Sequence, residues 1–114
     1  MDHGSSQSIA TNSGKSESIT KSEMGSLTNG DAYQIFMSGS CHSANFAEDC
    51  IAKYCLTNPA GGGVAFIGNT DWGLSGEDQQ LKPFLSSIYN VGPYPSGRYD
   101  IGMAFQSIIT SYKI

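Results

Sequence analysis

The chain has 114 residues and a net charge of −4, which suits one small domain or part of one. Only 14% of its residues are charged, so it lacks the clustered lysine and arginine of a nucleic-acid-binding surface. No apolar run reaches membrane-spanning length, and the first residues lack the basic and apolar regions of a signal peptide. We therefore expect neither a nucleic-acid partner nor a membrane partner.

The amino-terminal region is polar. Residues 4–18 are rich in Ser, Asn and Gly and contain few apolar side chains. This composition predicts a flexible surface loop. Thr20 and Glu23 then have the spacing of a capping box, which predicts a short helix that ends near Leu27.

Two apolar runs without alternation predict buried strands over about 33–38 and 63–68. Between them, Asn45 and Glu48 have the spacing of an N-cap and its N3 partner, and apolar residues then recur at helical intervals. A strand, a helix and a strand at this spacing form a βαβ unit with parallel strands and a right-handed crossover.

Two more helices are predicted in the last third of the chain. Apolar residues recur at helical spacing over about 77–90, where Pro83 fits only near the first turn, and again over about 101–112. The predicted fold class is therefore α/β, with a parallel βαβ core and flanking helices.

Cys41 is the residue around which the predicted site is built. It follows the first predicted strand, and Trp72 lies in the loop after the second. The carboxyl ends of parallel strands share one edge, where sites form in open α/β sheets. A thiolate there, close to the start of the predicted helix, would be reactive. Cys41 is thus a candidate nucleophile, His3 a candidate general acid or base, and the amides of Gly4 and Cys41 candidate oxyanion donors.

The other sulfur and imidazole groups have simpler interpretations. Cys50 and Cys55 lie on one face of the predicted helix, where they are expected to pack in the core rather than form a disulfide. His42 adjoins Cys41 in sequence, so we expect its side chain to point away from the thiol to the surface. The cysteine spacings match no familiar zinc-ligand pair, which leaves a metal-binding module as a minor alternative.

The order of these residues resembles that of the caspase-like cysteine peptidases. This chain and those peptidases share a His-Gly pair, a polar spacer, a short helix and a strand that ends in Ser-x-Ser-Cys. Within that clan the chain resembles the gingipain-type family, peptidase family C25, through the blocks Cys41–Phe46 and Gly62–Thr70 and through Trp72. The resemblance covers residues 2–75 and extends loosely to the final helices. One departure is Asp2, where the family usually has glycine, and Asp-His-Gly-Ser is also similar to the legumain branch.

The resemblance implies a caspase-like three-layer sandwich and a cysteine endopeptidase. It implies that Cys41 forms the acyl-enzyme, that His3 protonates the leaving amine, and that the amides of Gly4 and Cys41 bind the oxyanion. Trp72 would line the pocket for the substrate side chain that precedes the scissile bond, and Asp71 is its neighbour there. The implied partner is a peptide or protein substrate, no cofactor or metal is expected, and the implied location is secreted or at the cell surface.

In such peptidases, the strand that carries the histidine comes before the His-Gly pair. We therefore expect residues 1–114 to form a single partial domain, the carboxyl half of the sandwich, with an open edge on the strand over 33–38. Only the polar loop is then expected to hold His3 near Cys41. The alternative function is a catalytically inactive half-domain that associates through this edge, with the missing amino-terminal half or a second copy as partner.

Overall fold

The structure, a computed structural model, describes residues 4–10, 17–73, 78–89 and 100–111. Its strands and helices, in chain order, are β1 (Gly4–Ser5), β2 (Ser8–Ala10), β3 (Ser18–Thr20), α1 (Lys21–Gly25), β4 (Gln34–Ser38), α2 (Ile51–Thr57), β5 (Gly63–Gly68), α3 (Asp78–Tyr89) and α4 (Ile101–Ser111). The chain divides into two compact units, Met1–Ser75 and Gly76–Ile114. Within the described ranges, no helix is both long and apolar enough to cross a membrane. The predicted α/β fold class is confirmed.

The centre of the first unit is the predicted βαβ arrangement. Strands β4 and β5 pair in parallel, and helix α2, which joins them, packs on β5. On the face that meets the helices, the rings of Phe36 and Phe66 stack with centroids 6.4 Å apart. They pack against a fully buried cluster of Met24, Ile51 and Cys55. This arrangement is compatible with an incomplete caspase-like sandwich.

The structure corrects the predicted loop over residues 4–18, because β1 and β2 lie within that range. They form an antiparallel hairpin, and β3 pairs with β2 to complete a three-stranded sheet. Ile9 and Ile19 lie opposite each other and pack against the buried cluster around Met24. Backbone hydrogen bonds hold the antiparallel ladder, and one apolar residue on β2 and one on β3 anchor it to the core. Residues 11–16 of the predicted loop lie outside the described part.

Helix α1 starts as predicted. The Thr20 hydroxyl accepts the Glu23 N–H at 3.3 Å, and the Glu23 carboxylate accepts the Thr20 N–H at 2.8 Å. This reciprocal capping box satisfies two amides that the helix itself leaves unpaired. The helix ends at Gly25, two residues earlier than expected.

The predicted helix start at Asn45 is wrong, because α2 begins only at Ile51. Asn45 does form its local contacts: its side-chain oxygen accepts the Ala47 N–H at 3.2 Å, and its carbonyl accepts the Glu48 N–H at 3.0 Å. These bonds close a turn, and the chain is extended again at the N-cap residue of α2, Cys50. The capping residue Asn45 thus makes its local hydrogen bonds, but no helix starts there.

The second unit contains the two predicted terminal helices. In their described parts, Phe84 of α3 and Phe105 of α4 make an edge-to-face contact with centroids 6.3 Å apart. Ala104 is fully buried. Pro83 lies inside α3 rather than at its start. Proline has no N–H, so this helix lacks one of its backbone hydrogen bonds.

Candidate active site

Cys41 begins a turn that follows β4 by two residues. The turn occupies residues 41–44, and the thiol is half-buried. Because α2 starts at Ile51, the expectation that Cys41 sits at a helix N-terminus is wrong. The sulfur instead accepts a hydrogen bond from the backbone N–H of Gly73, at 3.3 Å. The loop after β5 therefore provides a backbone hydrogen-bond donor to the sulfur.

We call residues 39–44 the cysteine turn and residues 69–73 the tryptophan loop. Three hydrogen bonds of 2.9 Å join them, besides the bond to the sulfur. The tryptophan loop accepts the N–H groups of His42 and Ala44 through the carbonyls of Asp71 and Asn69, and the Asn69 amide donates to the Gly39 carbonyl. Two segments that are far apart in sequence are thus tied together at the carboxyl ends of β4 and β5.

The two predicted pocket residues lie on this tied loop. Trp72 is 71% exposed, and the side chain of Asp71 is 80% exposed. The Asp71 carboxylate accepts the backbone N–H of Trp72 at 2.9 Å, which fixes the local backbone. Both side chains are therefore available to a bound molecule next to the cysteine turn.

The predicted surface position of His42 is wrong. Its side chain is only 21% exposed, and its ring meets Trp72 edge-on with centroids 4.8 Å apart and an interplanar angle of 76°. The Nε2 atom lies 4.0 Å from an Asp71 carboxylate oxygen. The backbone of His42 has φ +56°, and no other non-glycine residue in the described ranges has a positive φ. This left-handed backbone redirects the side chain, which strand alternation cannot predict.

Gly4 lies directly against the residue that precedes Cys41. A Cβ atom built on Gly4 would stand 2.6 Å from the Ser40 hydroxyl and 2.4 Å from the Ser8 carbonyl oxygen, so a side chain does not fit there. The hairpin of β1 and β2 is also fixed at its turn, where the Ser6 carbonyl accepts the N–H of Ile51 at 2.7 Å. The expectation that only a loose loop tethers this end of the chain is therefore wrong.

His3 and Asp2 lie outside the described residues, so the expected meeting of His3 with Cys41 stays a prediction. The two other cysteines are fully buried, as expected. Burial raises the pKa of the Cys55 thiol above its usual value, and a hydrogen bond from the Gly63 N–H opposes this only in part. Within the described part of the chain, no three metal-ligating side chains cluster in a way that would hold an ion.

Three buried polar atoms in or beside this turn make no hydrogen bond within the described part of the chain. They are the hydroxyl oxygens of Ser40 and Ser43 and Nδ1 of His42. Buried polar atoms in folded proteins are nearly always paired, and exceptions concentrate where a site serves something other than stability. Sequence reasoning missed this cluster, although the run Ser40-Cys41-His42-Ser43 is polar where a buried strand ends.

Comparison with known proteins identifies the family of the chain. The model of peptidase family C25 matches residues 1–113, which is nearly the whole chain. Neither the comparison with curated proteins nor the comparison with solved structures returned a match. The similarity to the legumain branch receives no support from these comparisons. By the extent of the family match, the chain belongs to peptidase family C25, the gingipain-type cysteine peptidases.

Proposed function

We propose that this chain provides the catalytic cysteine and histidine of an endopeptidase. The Cys41 thiolate attacks the carbonyl carbon of a peptide bond and forms a C–S bond. His3 gives its proton to the leaving amine as the C–N bond breaks. Water then attacks the thioester, releases the carboxylic acid and returns the thiol. The substrate is a peptide or protein, and the mechanism uses no cofactor.

The contact of Gly4 with Ser40 is the observation that carries this proposal. It sets the residue after His3 against the residue before Cys41. Adjacent Cα atoms are about 3.8 Å apart, so the backbone of His3 starts within one residue of this contact. This neighbourhood supports the proposal that the His3 imidazole can reach the Cys41 thiol.

The same contact supports an oxyanion site. The backbone amides of Gly4 and Cys41 belong to two segments that are packed together near Ser40. Donors that are fixed before the reaction stabilise a developing negative charge without reorganisation. The docking of Ser6 on Ile51 limits the movement of Gly4, which favours this role.

Trp72 and Asp71 are the proposed walls of the pocket for the substrate side chain that precedes the scissile bond. Their exposure leaves them free to contact a ligand, and the hydrogen bonds of the tryptophan loop hold them beside the cysteine turn. An exposed indole offers a large, rigid surface at low entropic cost, which suits recognition of a side chain.

Labelling with a fluorescent peptidyl acyloxymethyl ketone tests this function. We expect covalent labelling of the wild-type protein and none of Cys41→Ala, while Cys50→Ala, which removes a buried thiol, keeps the label. We also expect His3→Ala to slow hydrolysis of a fluorogenic peptide by about a hundredfold or more, the usual contribution of a general acid. Equal labelling of wild type and Cys41→Ala would refute the proposal.

A second candidate function is association through the edge of β4. Within the described residues β4 pairs only with β5, and Tyr33 and Ile35 at its start are 55% and 49% exposed. Such an edge can accept a strand from another chain. Light scattering after size-exclusion chromatography tests this function. A dimer that Ile35→Lys converts to monomer supports it, and a wild-type monomer at all concentrations contradicts it.

A further inference from the structure

We propose that His42 is a positioning residue, whose imidazole holds the indole of Trp72 in place and thereby sets one wall of the substrate pocket. The proposal rests on the pocket role that we propose for Trp72. It assigns no proton transfer to His42. It concerns a side chain that follows the nucleophile directly in sequence and that lies under the exposed tryptophan.

The backbone of His42 is the first reason. Its φ of +56° lies in the left-handed region, which is unfavourable for a residue with a Cβ atom. Such a conformation persists only where the surroundings fix it, and it is found most often at functional sites. Here the surroundings are those of the tryptophan loop, because the Asp71 carbonyl accepts the His42 N–H at 2.9 Å.

The ring contact is the second reason. The imidazole is 21% exposed and the indole is 71% exposed, so the histidine is the buried partner that supports the tryptophan. The edge-to-face geometry, with centroids 4.8 Å apart, is one that aromatic pairs prefer. An indole that projects this far into solvent has few other contacts to limit its rotation, so its orientation depends on this support.

The polar atoms of the ring are the third reason. Nε2 lies 4.0 Å from the Asp71 carboxylate, while Nδ1 is buried and makes no hydrogen bond to the described part of the chain. At 4.0 Å the Nε2 contact is too long for a hydrogen bond, so hydrogen bonding to the described part of the chain does not account for the position of the ring. The main contact of the buried His42 ring is therefore the one with Trp72. This contact orients the indole, while the Asp71 carboxylate fixes the backbone of Trp72.

The chain contains a single tryptophan and only two histidines, so the effect can be read by fluorescence. We expect the time-resolved anisotropy of Trp72 to show little fast local rotation in the wild type. We expect His42→Asn and His42→Gly to add a large fast component, since exposed side chains rotate on the picosecond to nanosecond timescale when nothing holds them. Both replacements accept a left-handed backbone, so the turn should stay folded.

His3→Ala is the matched control, because it removes the other histidine and should leave the anisotropy unchanged. An anisotropy decay that is the same in wild type, His42→Asn and His42→Gly would overturn the proposal. This measurement needs no peptidase activity, so it distinguishes a failure of this inference from a failure of the proposed function.

Reactivity of Cys41 gives a second readout. Iodoacetamide has no side chain to place in the pocket, whereas a peptidyl acyloxymethyl ketone does. We expect His42→Asn to slow the ketone by about tenfold or more, as misplaced binding groups do, and to leave alkylation by iodoacetamide within about twofold. Equal slowing of both reagents would show a general structural effect and would contradict a positioning role.

Discussion

The backbone N–H of Gly73 points at the sulfur of Cys41 from 3.3 Å. This bond joins the second loop of the site to the candidate nucleophile itself, and it needs no side chain on Gly73. A hydrogen bond to a charged acceptor is stronger than one to a neutral acceptor. A Cys41 thiolate would accept this same hydrogen bond while it attacks an electrophile.

We predict that Gly73→Pro, which removes this donor, slows alkylation of Cys41 by iodoacetamide at neutral pH by about tenfold, the size of one hydrogen bond to a charged group. Gly73→Ala keeps the N–H and should react like the wild type. Mass spectrometry of the alkylated peptide gives the rate at Cys41. A proline variant that reacts as fast as the alanine variant would show that the bond has no chemical effect.

A second prediction concerns the close approach of Gly4 to Ser40. In Gly4→Ala the new methyl group would stand 2.4 Å from the Ser8 carbonyl oxygen and 2.6 Å from the Ser40 hydroxyl. Both contacts are far shorter than packed atoms allow, so we expect a loss of about 1–3 kcal/mol in the free energy of unfolding. We also expect reduced labelling by the peptidyl ketone, because β1 must move away from the cysteine turn.

Urea unfolding gives the change in stability, and Gly102→Ala is the matched control. A Cβ atom at Gly102 in helix α4 meets nothing closer than 3.9 Å, so alanine should be neutral or stabilising there. If Gly4→Ala were as stable as Gly102→Ala, the tight contact between the hairpin and Ser40 would be wrong.

A third prediction concerns pH and the ion pair that connects α1 with the segment before α2. A hydrogen bond from the Lys21 ammonium, at 2.6 Å, lowers the pKa of Asp49 below its ordinary 3.8, and the same bond raises the pKa of Lys21 above 10.5. Because the carboxyl has the lower pKa in the folded state, its stabilisation is complete above the unfolded value and disappears as pH falls through the folded value.

We therefore expect the melting temperature of the wild type to be slightly higher than that of Asp49→Asn at neutral pH. The two melting temperatures should become equal once the pH falls below the pKa of Asp49 in the folded state. The lysine contribution has the opposite sign: it is complete below 10.5 and is lost only as pH rises through the raised value. The pair is exposed, so the neutral-pH difference should be small and should shrink in high salt. A difference in melting temperature that persists at the lowest pH would contradict this account.

A fourth prediction concerns Asn58, which joins the end of α2 to the region after α1. Its side-chain N–H groups donate to the carbonyls of Met24 and Leu27 at 3.1 and 2.8 Å, and its oxygen accepts the Ala60 N–H at 2.8 Å. Removing the side-chain amide takes one partner from each of these two carbonyls, which it reaches in a partly buried setting, so Asn58→Ala should cost about 1–3 kcal/mol.

Asn58→Asp should cost more than Asn58→Ala at neutral pH. The carboxylate keeps the bond to Ala60 but sets a negative charge against two carbonyl oxygens. Urea unfolding of both variants separates the effect of losing the two donated hydrogen bonds from the effect of repulsion between the carboxylate and the carbonyl oxygens. The opposite order of stability would mean that the two carbonyls are satisfied in another way.

Much of this fold is predictable from the sequence. The apolar runs that became β4 and β5 and the helical periodicity of α3 and α4 are strong signals, and their positions agree with prediction to within a residue or two. The capping box of Thr20 and Glu23 is confirmed because its geometry is entirely local. These elements depend on side chains whose patterns follow directly from strand and helix periods.

The three-stranded sheet was not predicted, because its stability comes from backbone pairing and from packing with distant residues. A weak signal was present: Ser8-Ile9-Ala10 and Ser18-Ile19-Thr20 share one pattern, an isoleucine between small or polar residues. The start of α2 was also missed, because the N–H of Ile51 is taken by the Ser6 carbonyl of a segment far away in sequence. Tertiary partners of this kind do not appear in a local pattern.

For the site, sequence order predicted that the loop carrying Trp72 meets the turn carrying Cys41, and the hydrogen bonds between these segments agree. The position of His42 was not predictable. Its direction depends on a left-handed backbone that histidine adopts more often than most residues but that no neighbouring residue requires.

The tryptophan loop makes its hydrogen bonds to the cysteine turn through residues 69, 71 and 73, which are alternate residues, whereas Trp72 lies between two of them and meets the turn through its ring. This alternation restricts how the loop can change in length. One inserted residue would exchange the groups that bond to the turn with those that face solvent, and it would rotate the indole out of the pocket. Two inserted residues would restore the alternation, so loop designs that alter the depth of this pocket should change its length in steps of two.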